Sequence, residues 1–179
     1  LVSHDAYRTL AAHYDRLRMD WYTGTTGPQL VELLAARGVR DGAILDAGCG
    51  TGTLAVWLAT RGFAVDGVDL SPSLLAHAKA KAAAGSENVR FELGDITDLS
   101  LSHRFDAIVC VADVLNHLPT LDDWERAFRS FAQHLRPGGL LFFDALTALG
   151  LERMDMYEVH DLANGALMMG IIYEPAARR

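Results

Sequence analysis

The chain has 179 residues, of which 50% are hydrophobic, and a formal net charge of −7. This length and composition fit one globular domain with a single core, and the acidic balance with scattered lysines and arginines argues against a nucleic-acid partner. No apolar run approaches the roughly 20 residues of a membrane-spanning helix and the amino terminus lacks a signal-peptide pattern, so we expect a soluble cytoplasmic protein without a membrane partner.

Strand and helix patterns alternate along the chain. Two helices, over residues 5–19 and 28–38, are predicted ahead of the first strand and could form an N-terminal helical cap. Strands are predicted at 43–46, 64–69, 89–93, 106–112 and 140–144, a last strand within 166–175, and helices at about 52–61, 72–84 and 122–135. The alternation predicts an α/β fold: a Rossmann-like, doubly wound, mostly parallel sheet with helices on both faces.

A glycine-rich loop, DAGCGTG, follows the first predicted strand. Ligands of an open α/β sheet bind beyond the carboxyl ends of the strands. Gly48, Gly50 and Gly52 permit positive φ angles and a close approach of a ligand to the backbone, and the following helix directs free N–H groups into the crevice. The loop therefore predicts a ligand site, although a tight strand-to-helix turn without a ligand is the alternative.

Two acidic residues extend this site. Asp69 ends the second strand, 21 residues after Gly48, at the spacing where a carboxylate accepts hydrogen bonds from ribose hydroxyls. Its alternative role is a turn or cap beside Ser71. Asp95, in LGDITDL after the third strand, can accept from an adenine amino group while Ile96 packs on the ring. Together these features predict an adenosine site.

The glycine spacing narrows the choice of cofactor. A dinucleotide loop requires G-x-G-x-x-G, but here Thr53 stands where the third glycine belongs, and no G-K-[ST] follows as in a P-loop. A phosphate-bearing ligand is therefore disfavoured. The cysteines, Cys49 and Cys110, have neither zinc-ligand spacing nor a secreted disulfide pattern, so we expect a reducing compartment and no metal site.

At this point the sequence resembles the class I S-adenosylmethionine-dependent methyltransferases. Their first motif, h-h-D-x-G-x-G-x-G with h hydrophobic, matches ILDAGCGTG at 44–52. Acidic residues after the second and third strands, and LRPGG before the fifth, match as well. The resemblance covers about residues 40–145, and LAAHYDRLRMDWY at 10–22 looks like the cap of the small-molecule branch, in which a Tyr-Asp pair closes over the cofactor.

The resemblance implies S-adenosylmethionine as cofactor and S-adenosylhomocysteine as product. It places the methionine part against the glycine loop, the ribose on Asp69, the adenine between the second and third strand ends, and the sulfonium at the end of the fourth strand. Tyr14 and Tyr22 become candidates for contacts to the cofactor carboxylate or the acceptor, with ordinary half-buried packing as their alternative. The implied cofactor-binding residues are Tyr14, Tyr22, Ala47, Gly48, Gly50, Asp69, Leu70, Asp95, Ile96, Val111 and Ala112.

Methyl transfer is an in-line displacement, so alignment of the reactants can supply much of the catalysis. A protonated amine or a hydroxyl acceptor can still need a base. The stretch ADVLNHL after the fourth strand offers Asp113 and His117 near the expected methyl group, and imidazole is the side chain that titrates near neutral pH. His117, Asp113 and Tyr14 are the catalytic candidates, although His117 could instead only cap or pack its segment.

The layout implied is one methyltransferase domain over 1–179: a helical cap (1–40), a cofactor-binding core (41–145) and an acceptor region (146–179). The sheet of this family ends in a hairpin of sixth and seventh strands, but we find a candidate for the sixth only. We therefore expect a partial acceptor region, with a truncated or disordered end or a shortened loop near Arg153 as the alternatives. The expected activity is N- or O-methylation of a small molecule. The alternatives are a catalytically silent cofactor-binding module, a protein or RNA methyltransferase and a nicotinamide oxidoreductase.

Overall fold

The computed structural model describes the chain except residues 1–4, 6, 19, 86–87, 148–156, 163–164 and 171–179, and gives only the backbone of 157–162 and 165–170. The chain divides into two compact units, residues 1–144 and 145–179.

The first unit contains a five-stranded parallel sheet. Its elements in chain order are α1 (Thr23–Ala36), β1 (Ala43–Ala47), α2 (Thr53–Ala59), β2 (Ala64–Asp69), α3 (Pro72–Ala83), β3 (Val89–Leu93), β4 (Phe105–Cys110), a 3₁₀ turn (Val114–His117), α4 (Leu121–His134) and β5 (Leu135–Phe143). The strand order is β3-β2-β1-β4-β5, with every pair parallel. The order reverses between β1 and β4, which confirms the predicted doubly wound sheet and places its ligand crevice at their carboxyl ends.

Successive residues of a strand point to opposite faces of the sheet, and helices cover both faces. In β1, Ile44 packs into a core cluster with Leu30 of α1 and Leu54 of α2, whereas Leu45 packs into a second cluster with Phe131 of α4. All five side chains are fully buried. Apolar burial on two faces explains the nearly continuous hydrophobic runs of the strands.

The helix starts follow ordinary capping chemistry. The Ser71 hydroxyl accepts the N–H of Leu74 at 3.1 Å, and Pro72 occupies the first helical position of α3. Thr120 caps α4 in the same way through the N–H of Asp123, at 3.1 Å. The starts of these helices are thereby fixed next to the carboxyl ends of the strands that precede them.

The N-terminal segment differs from the prediction. The expected regular helix over 5–19 is instead a series of turns through 7–18. Backbone N–H groups there bond to carbonyls either three residues back, as at His13, or four back, as at Leu17, and Arg18 has a positive φ of 54°. The second predicted helix, 28–38, begins earlier, at Thr23, with Pro28 inside it.

The fourth and fifth strands also differ in their bounds. β4 ends at Cys110, not 112, because Ala112 turns away with a φ of 63°. β5 begins at Leu135 and includes RPGG as a bulge, so that Phe105 faces Leu135 but Ala107 faces Leu140. The bulge brings the Arg136 guanidinium to 2.6 Å from the Asp106 carboxylate.

The second unit contains an antiparallel hairpin of β6 (Tyr157–Leu162) and β7 (Gly165–Gly170). The prediction of a sixth strand alone was therefore wrong, and the part of that predicted strand beyond 170 lies outside the described residues. In the part of the chain that the structure describes, no helix is both long and apolar enough to cross a membrane.

Candidate active site at the carboxyl ends of the strands

The carboxylate of Asp69 organises the crevice between β1 and β2. One of its oxygens accepts the N–H of Gly50 in the glycine loop at 2.8 Å, and the other accepts the N–H of Ser71 ahead of α3, also at 2.8 Å. Burial raises the pKa of Asp69, opposed by these two hydrogen bonds. The turn role considered for Asp69 is thus real, but each oxygen retains acceptor capacity for a ligand.

The glycines of the loop serve different purposes. A Cβ on Gly48 would lie 2.5 Å from a methyl carbon of Val114, so this glycine lets the turn after β4 approach the loop. A Cβ on Gly50 would meet nothing within 4 Å, and the φ of Gly50 is +55°. Gly50 therefore presents bare backbone to open space beside Asp69.

Asp46 lies beneath the loop as a buried carboxylate. Its exposed fraction is 3%, the N–H of Ala55 donates to it, and its Oδ2 has no hydrogen-bond partner. Burial, and then the negative charge of Asp69, raise its pKa to about 7. An unpaired buried acceptor is costly, so a cationic or hydrogen-bonding ligand in the crevice would relieve it.

Two aspartates fasten the N-terminal segment to the rim of the crevice. The Asp5 carboxylate accepts from the Ser71 hydroxyl at 2.7 Å and from the N–H of Ser73 at 3.0 Å. The Asp15 carboxylate accepts from the Thr51 hydroxyl at 2.6 Å and pairs with the Lys81 ammonium at 2.8 Å. The segment is therefore tied both to the glycine loop and to α3.

An aromatic and imidazole cluster connects this segment to the turn after β4. The ring of Tyr7 lies 6.3 Å, centroid to centroid, from both Tyr14 and His117, edge-on to each. The Tyr7 hydroxyl is 3.4 Å from His117 Nε2. Burial raises the pKa of both tyrosines, with Asp113 and Asp69 adding to the effect. Both phenols therefore stay neutral near physiological pH.

Asp113 gives this cluster a negative charge next to His117. Burial raises the pKa of Asp113, His117 lowers it, and Asp144 raises it. The N–H groups of Ala112 and Asp113 donate to the Asp144 carboxylate at 2.8 and 2.9 Å. The structure thus brings the predicted catalytic residues to the same end of the sheet, with Tyr7 as the direct neighbour of His117.

The remaining predicted residues divide between the crevice and the core. Leu70 is 64% exposed beside Asp69. Asp95 accepts the N–H of Thr97 at 2.8 Å, which is the turn role common for aspartate. The side chains of Ala47, Ile96 and Val111 are buried in the core, and Tyr22 packs against it. The Ile96 side chain lies in the core cluster that includes Phe131 of α4, and its predicted contact with the adenine stays a prediction.

Sequence analysis missed several residues of the site. Tyr7 stands seven positions before Tyr14, a spacing that places two side chains on one face of a helical segment. Asp144 follows β5 just as Asp69 ends β2, so the same strand-end signal identifies it. Asp46 was part of the matched motif without an assigned contact. Among the residues with described side chains, no group of histidine, cysteine and carboxylate residues could hold a metal ion.

Comparisons with known proteins agree with this architecture. The profile of a methyltransferase-domain family matches residues 44–139, more than half of the chain. A protein of Geobacillus sp. (strain WCH70) named as a methyltransferase is 39% identical over 140 residues, covering 77% of this chain and 56% of its own length. The chain thus spans about half the length of the curated relatives it matches.

Two solved structures share the fold. A S-adenosylmethionine-dependent methyltransferase from Clostridium acetobutylicum ATCC 824 matches with a TM-score of 0.75 at 27% identity, over 88% of this chain and 65% of that one. An amino pentose methyltransferase from Micromonospora echinaspora, involved in calicheamicin biosynthesis and bound to S-adenosylmethionine, matches with a TM-score of 0.69 at 27% identity, over 83% of this chain and 62% of that one.

The raised pKa of Asp46 predicts that stability falls as pH rises. Its pKa is about 7 in the folded chain against an ordinary 3.8, so between roughly pH 4 and 7 the folded state holds a proton that the unfolded state has lost. The free energy of unfolding declines across this window and stays lower above it. At about 1.4 kcal/mol per pKa unit, the part due to Asp46 is on the order of 4 kcal/mol.

Urea unfolding of the wild type, Asp46→Asn and Asp41→Asn at about pH 5 and about pH 8 measures this contribution. We expect Asp46→Asn to show a smaller decline than the wild type, while Asp41→Asn, at an exposed position, declines as the wild type does. Equal pH dependence in the wild type and Asp46→Asn would contradict the buried, proton-binding state of Asp46.

Proposed function

Because the chain belongs to the class I S-adenosylmethionine-dependent methyltransferases, we propose that it transfers the methyl group of S-adenosylmethionine to a nitrogen or oxygen of a small molecule. The observation that carries this proposal is the arrangement of Asp69, Gly50 and the Tyr7–His117 pair at one end of the sheet. The domain layout that we propose with it is a cap over 1–40, a cofactor-binding core over 41–145 and an acceptor region over 146–179.

The crevice fits the cofactor on three observations. Gly50 offers open space at its Cβ position, which leaves room for a ligand against the backbone. Asp69 uses one acceptor position on each oxygen for the protein, so the others would serve ribose hydroxyls. The unpartnered Oδ2 of Asp46 would accept from an ammonium group, directly or through water. When bound, S-adenosylmethionine supplies an electrophilic methyl group on a positively charged sulfur.

The charge of the site favours a cationic ligand. Asp46, Asp69, Asp113 and Asp144 all lie at the carboxyl ends of β1, β2, β4 or β5, and burial raises the pKa of the first three. A positive charge near these carboxylates stabilises their ionised forms. The same field attracts a protonated amine, and it supports a nitrogen acceptor.

His117 is placed to take a proton from the acceptor. Its Nε2 faces the Tyr7 hydroxyl at 3.4 Å, and a hydroxyl at that position orients the imidazole ring. The imidazole in turn lowers the pKa of Asp113, against the effect of burial. Proton removal uncovers the lone pair that attacks, and a positioned base typically contributes 10²- to 10⁴-fold to a rate.

Two observations support a small molecule as acceptor: the aromatic side chains beside the site and one similar solved structure. Tyr7 and Tyr14 are partly buried rings, and aromatic walls orient a small molecule at modest entropic cost. Trp21, in contrast, is 68% exposed. The similar protein from Micromonospora echinaspora is an amino pentose methyltransferase, and the chain's net charge of −7 disfavours RNA. We therefore place small amines, amino sugars among them, ahead of phenols.

A labelled-methyl assay tests the proposed activity. The protein is incubated with methyl-deuterated S-adenosylmethionine and a panel of small amines, amino sugars and phenols, and in parallel with the protein and RNA fractions of a bacterial lysate. Mass spectrometry should find the label on a small molecule, with amines ahead of phenols because of the acidic site. Label confined to protein or RNA, or cofactor binding with no label on any fraction, would overturn the proposal.

Replacement of His117 should distinguish the contribution of proton transfer to the rate from the contribution of reactant alignment. With the best acceptor of the panel, His117→Ala should lower kcat by roughly 10²-fold, and Tyr7→Phe, which removes one hydrogen bond but keeps the ring, by roughly 2- to 10-fold. The wild-type rate should also fall on acidification through the range in which imidazoles titrate. Steady-state kinetics across that range measures all three effects.

The matched control is His103→Ala. His103 lies just ahead of β4, at the opposite end of the sheet, where it pairs with Asp66. Its removal should leave kcat at the wild-type value. A His117→Ala enzyme as fast as His103→Ala would mean that alignment alone carries the reaction.

A further inference from the structure

The turn that carries the candidate base has an unusual backbone. Ala112 and Asp113, two consecutive residues with side chains, have φ angles of +63° and +54°. This left-handed region is unfavourable for residues other than glycine because their Cβ crowds the carbonyl oxygen. The two residues lie between the end of β4 and the 3₁₀ turn Val114–His117, so their conformation sets the direction in which that turn leaves the sheet.

A single carboxylate from the neighbouring strand stabilises this conformation. The N–H of Ala112 donates to Asp144 Oδ2 at 2.8 Å, and the N–H of Asp113 donates to Oδ1 at 2.9 Å. Asp144 follows β5, and its own N–H donates to the carbonyl of Cys110 at 3.2 Å. Two successive N–H groups that point to one side form a concave anion site, and here the anion is a side chain of the same protein.

The far side of the turn is already fixed by packing. Val114 fits against Gly48 so closely that a Cβ there would lie 2.5 Å from it, and Leu115 is fully buried. Displacement of Ala112 and Asp113 would therefore shift the start of the 3₁₀ turn relative to Val114 and Leu115, which packing holds in place. The residues that would shift are Asp113 and His117, the charged groups of the proposed proton transfer.

We propose that Asp144 is a positioning residue for methyl transfer: its carboxylate holds the strained Ala112–Asp113 turn and thereby aims His117 and Asp113 at the acceptor. This inference rests on the proposed function. Asp144 acts through the backbone, so its role requires two acceptor oxygens and not a contact with the acceptor molecule. An asparagine has only one such oxygen and is not expected to replace it.

The test uses glycine to remove the strain that Asp144 opposes. The variants are Asp144→Ala, the double variant Asp144→Ala/Ala112→Gly, and Asp41→Ala as a control that removes the same charge at an exposed position. Glycine accepts a positive φ without cost. The double variant should therefore recover a large part of what Asp144→Ala loses, if the loss arises from the turn.

The first readouts need no acceptor. In the Asp144→Ala protein the amides of 112 and 113 should exchange faster with solvent and the NMR signal of the His117 ring should shift, while the double variant returns that signal toward its wild-type position. Unchanged amides and an unchanged ring signal in Asp144→Ala overturn the proposal, whatever the activity assay shows.

The kinetic readouts distinguish this inference from the activity on which it rests. Asp144→Ala should lower kcat by roughly 10- to 100-fold, with a smaller change in KM and in the calorimetric affinity for S-adenosylhomocysteine, and Ala112→Gly should restore most of the loss. A kcat loss that Ala112→Gly leaves uncorrected overturns the proposal in favour of a direct contact between Asp144 and the acceptor. It is also possible to separate the two proposals. If neither the wild type nor any variant methylates an acceptor, the proposed function fails. If the amide and ring signals nevertheless respond as expected, the role of Asp144 in aiming His117 stands.

Discussion

The hydrogen bonds of the Asp69 carboxylate to Gly50 and Ser71 are the contacts on which the site depends. They join the glycine loop after β1 to the start of α3 after β2, so two strand ends behave as one surface. The carboxylate is partly buried and its pKa is raised, yet both oxygens remain engaged with backbone N–H groups. A ligand that binds this carboxylate therefore meets a preorganised acceptor, and its binding energy is not spent on ordering the loop.

The N-terminal segment extends the same arrangement over the crevice. Asp5 binds the start of α3, and Asp15 binds Thr51 and Lys81. The segment thus depends on the two elements that Asp69 joins, and it carries Tyr7 and Tyr14 to the side of the turn after β4. The proposed acceptor site is consequently assembled from parts of the chain more than 100 residues apart, as the contact between Tyr7 and His117 shows.

The sequence correctly predicted those features that depend on a single strand or a single turn. Apolar runs located the strands β1 to β3, Ser71 and Pro72 located the start of α3, and the acidic strand end located Asp69. It did not predict features whose conformation or packing depends on contacts between distant parts of the chain. The segment 7–18 has a helical pattern but forms turns, and its Asp15 side chain bonds to the distant side chains of Thr51 and Lys81. Ile96 follows a strand yet packs into the core. The strained turn at Ala112 has no signature in local propensity, because its left-handed residues bond to the Asp144 carboxylate from a distant part of the chain.

Calorimetry with S-adenosylhomocysteine directly tests the proposed cofactor site, in which Asp69 binds the ribose. The wild-type protein and Asp66→Asn, a matched change on the same strand outside the crevice, should bind with similar affinity. Asp69→Asn should bind at least roughly tenfold more weakly, since it loses charge-assisted hydrogen bonds to the ligand and one to the loop, while its melting curve shows that it is folded. Absence of binding to the wild type, or equal affinity in folded Asp69→Asn, would contradict the proposal that Asp69 binds the cofactor.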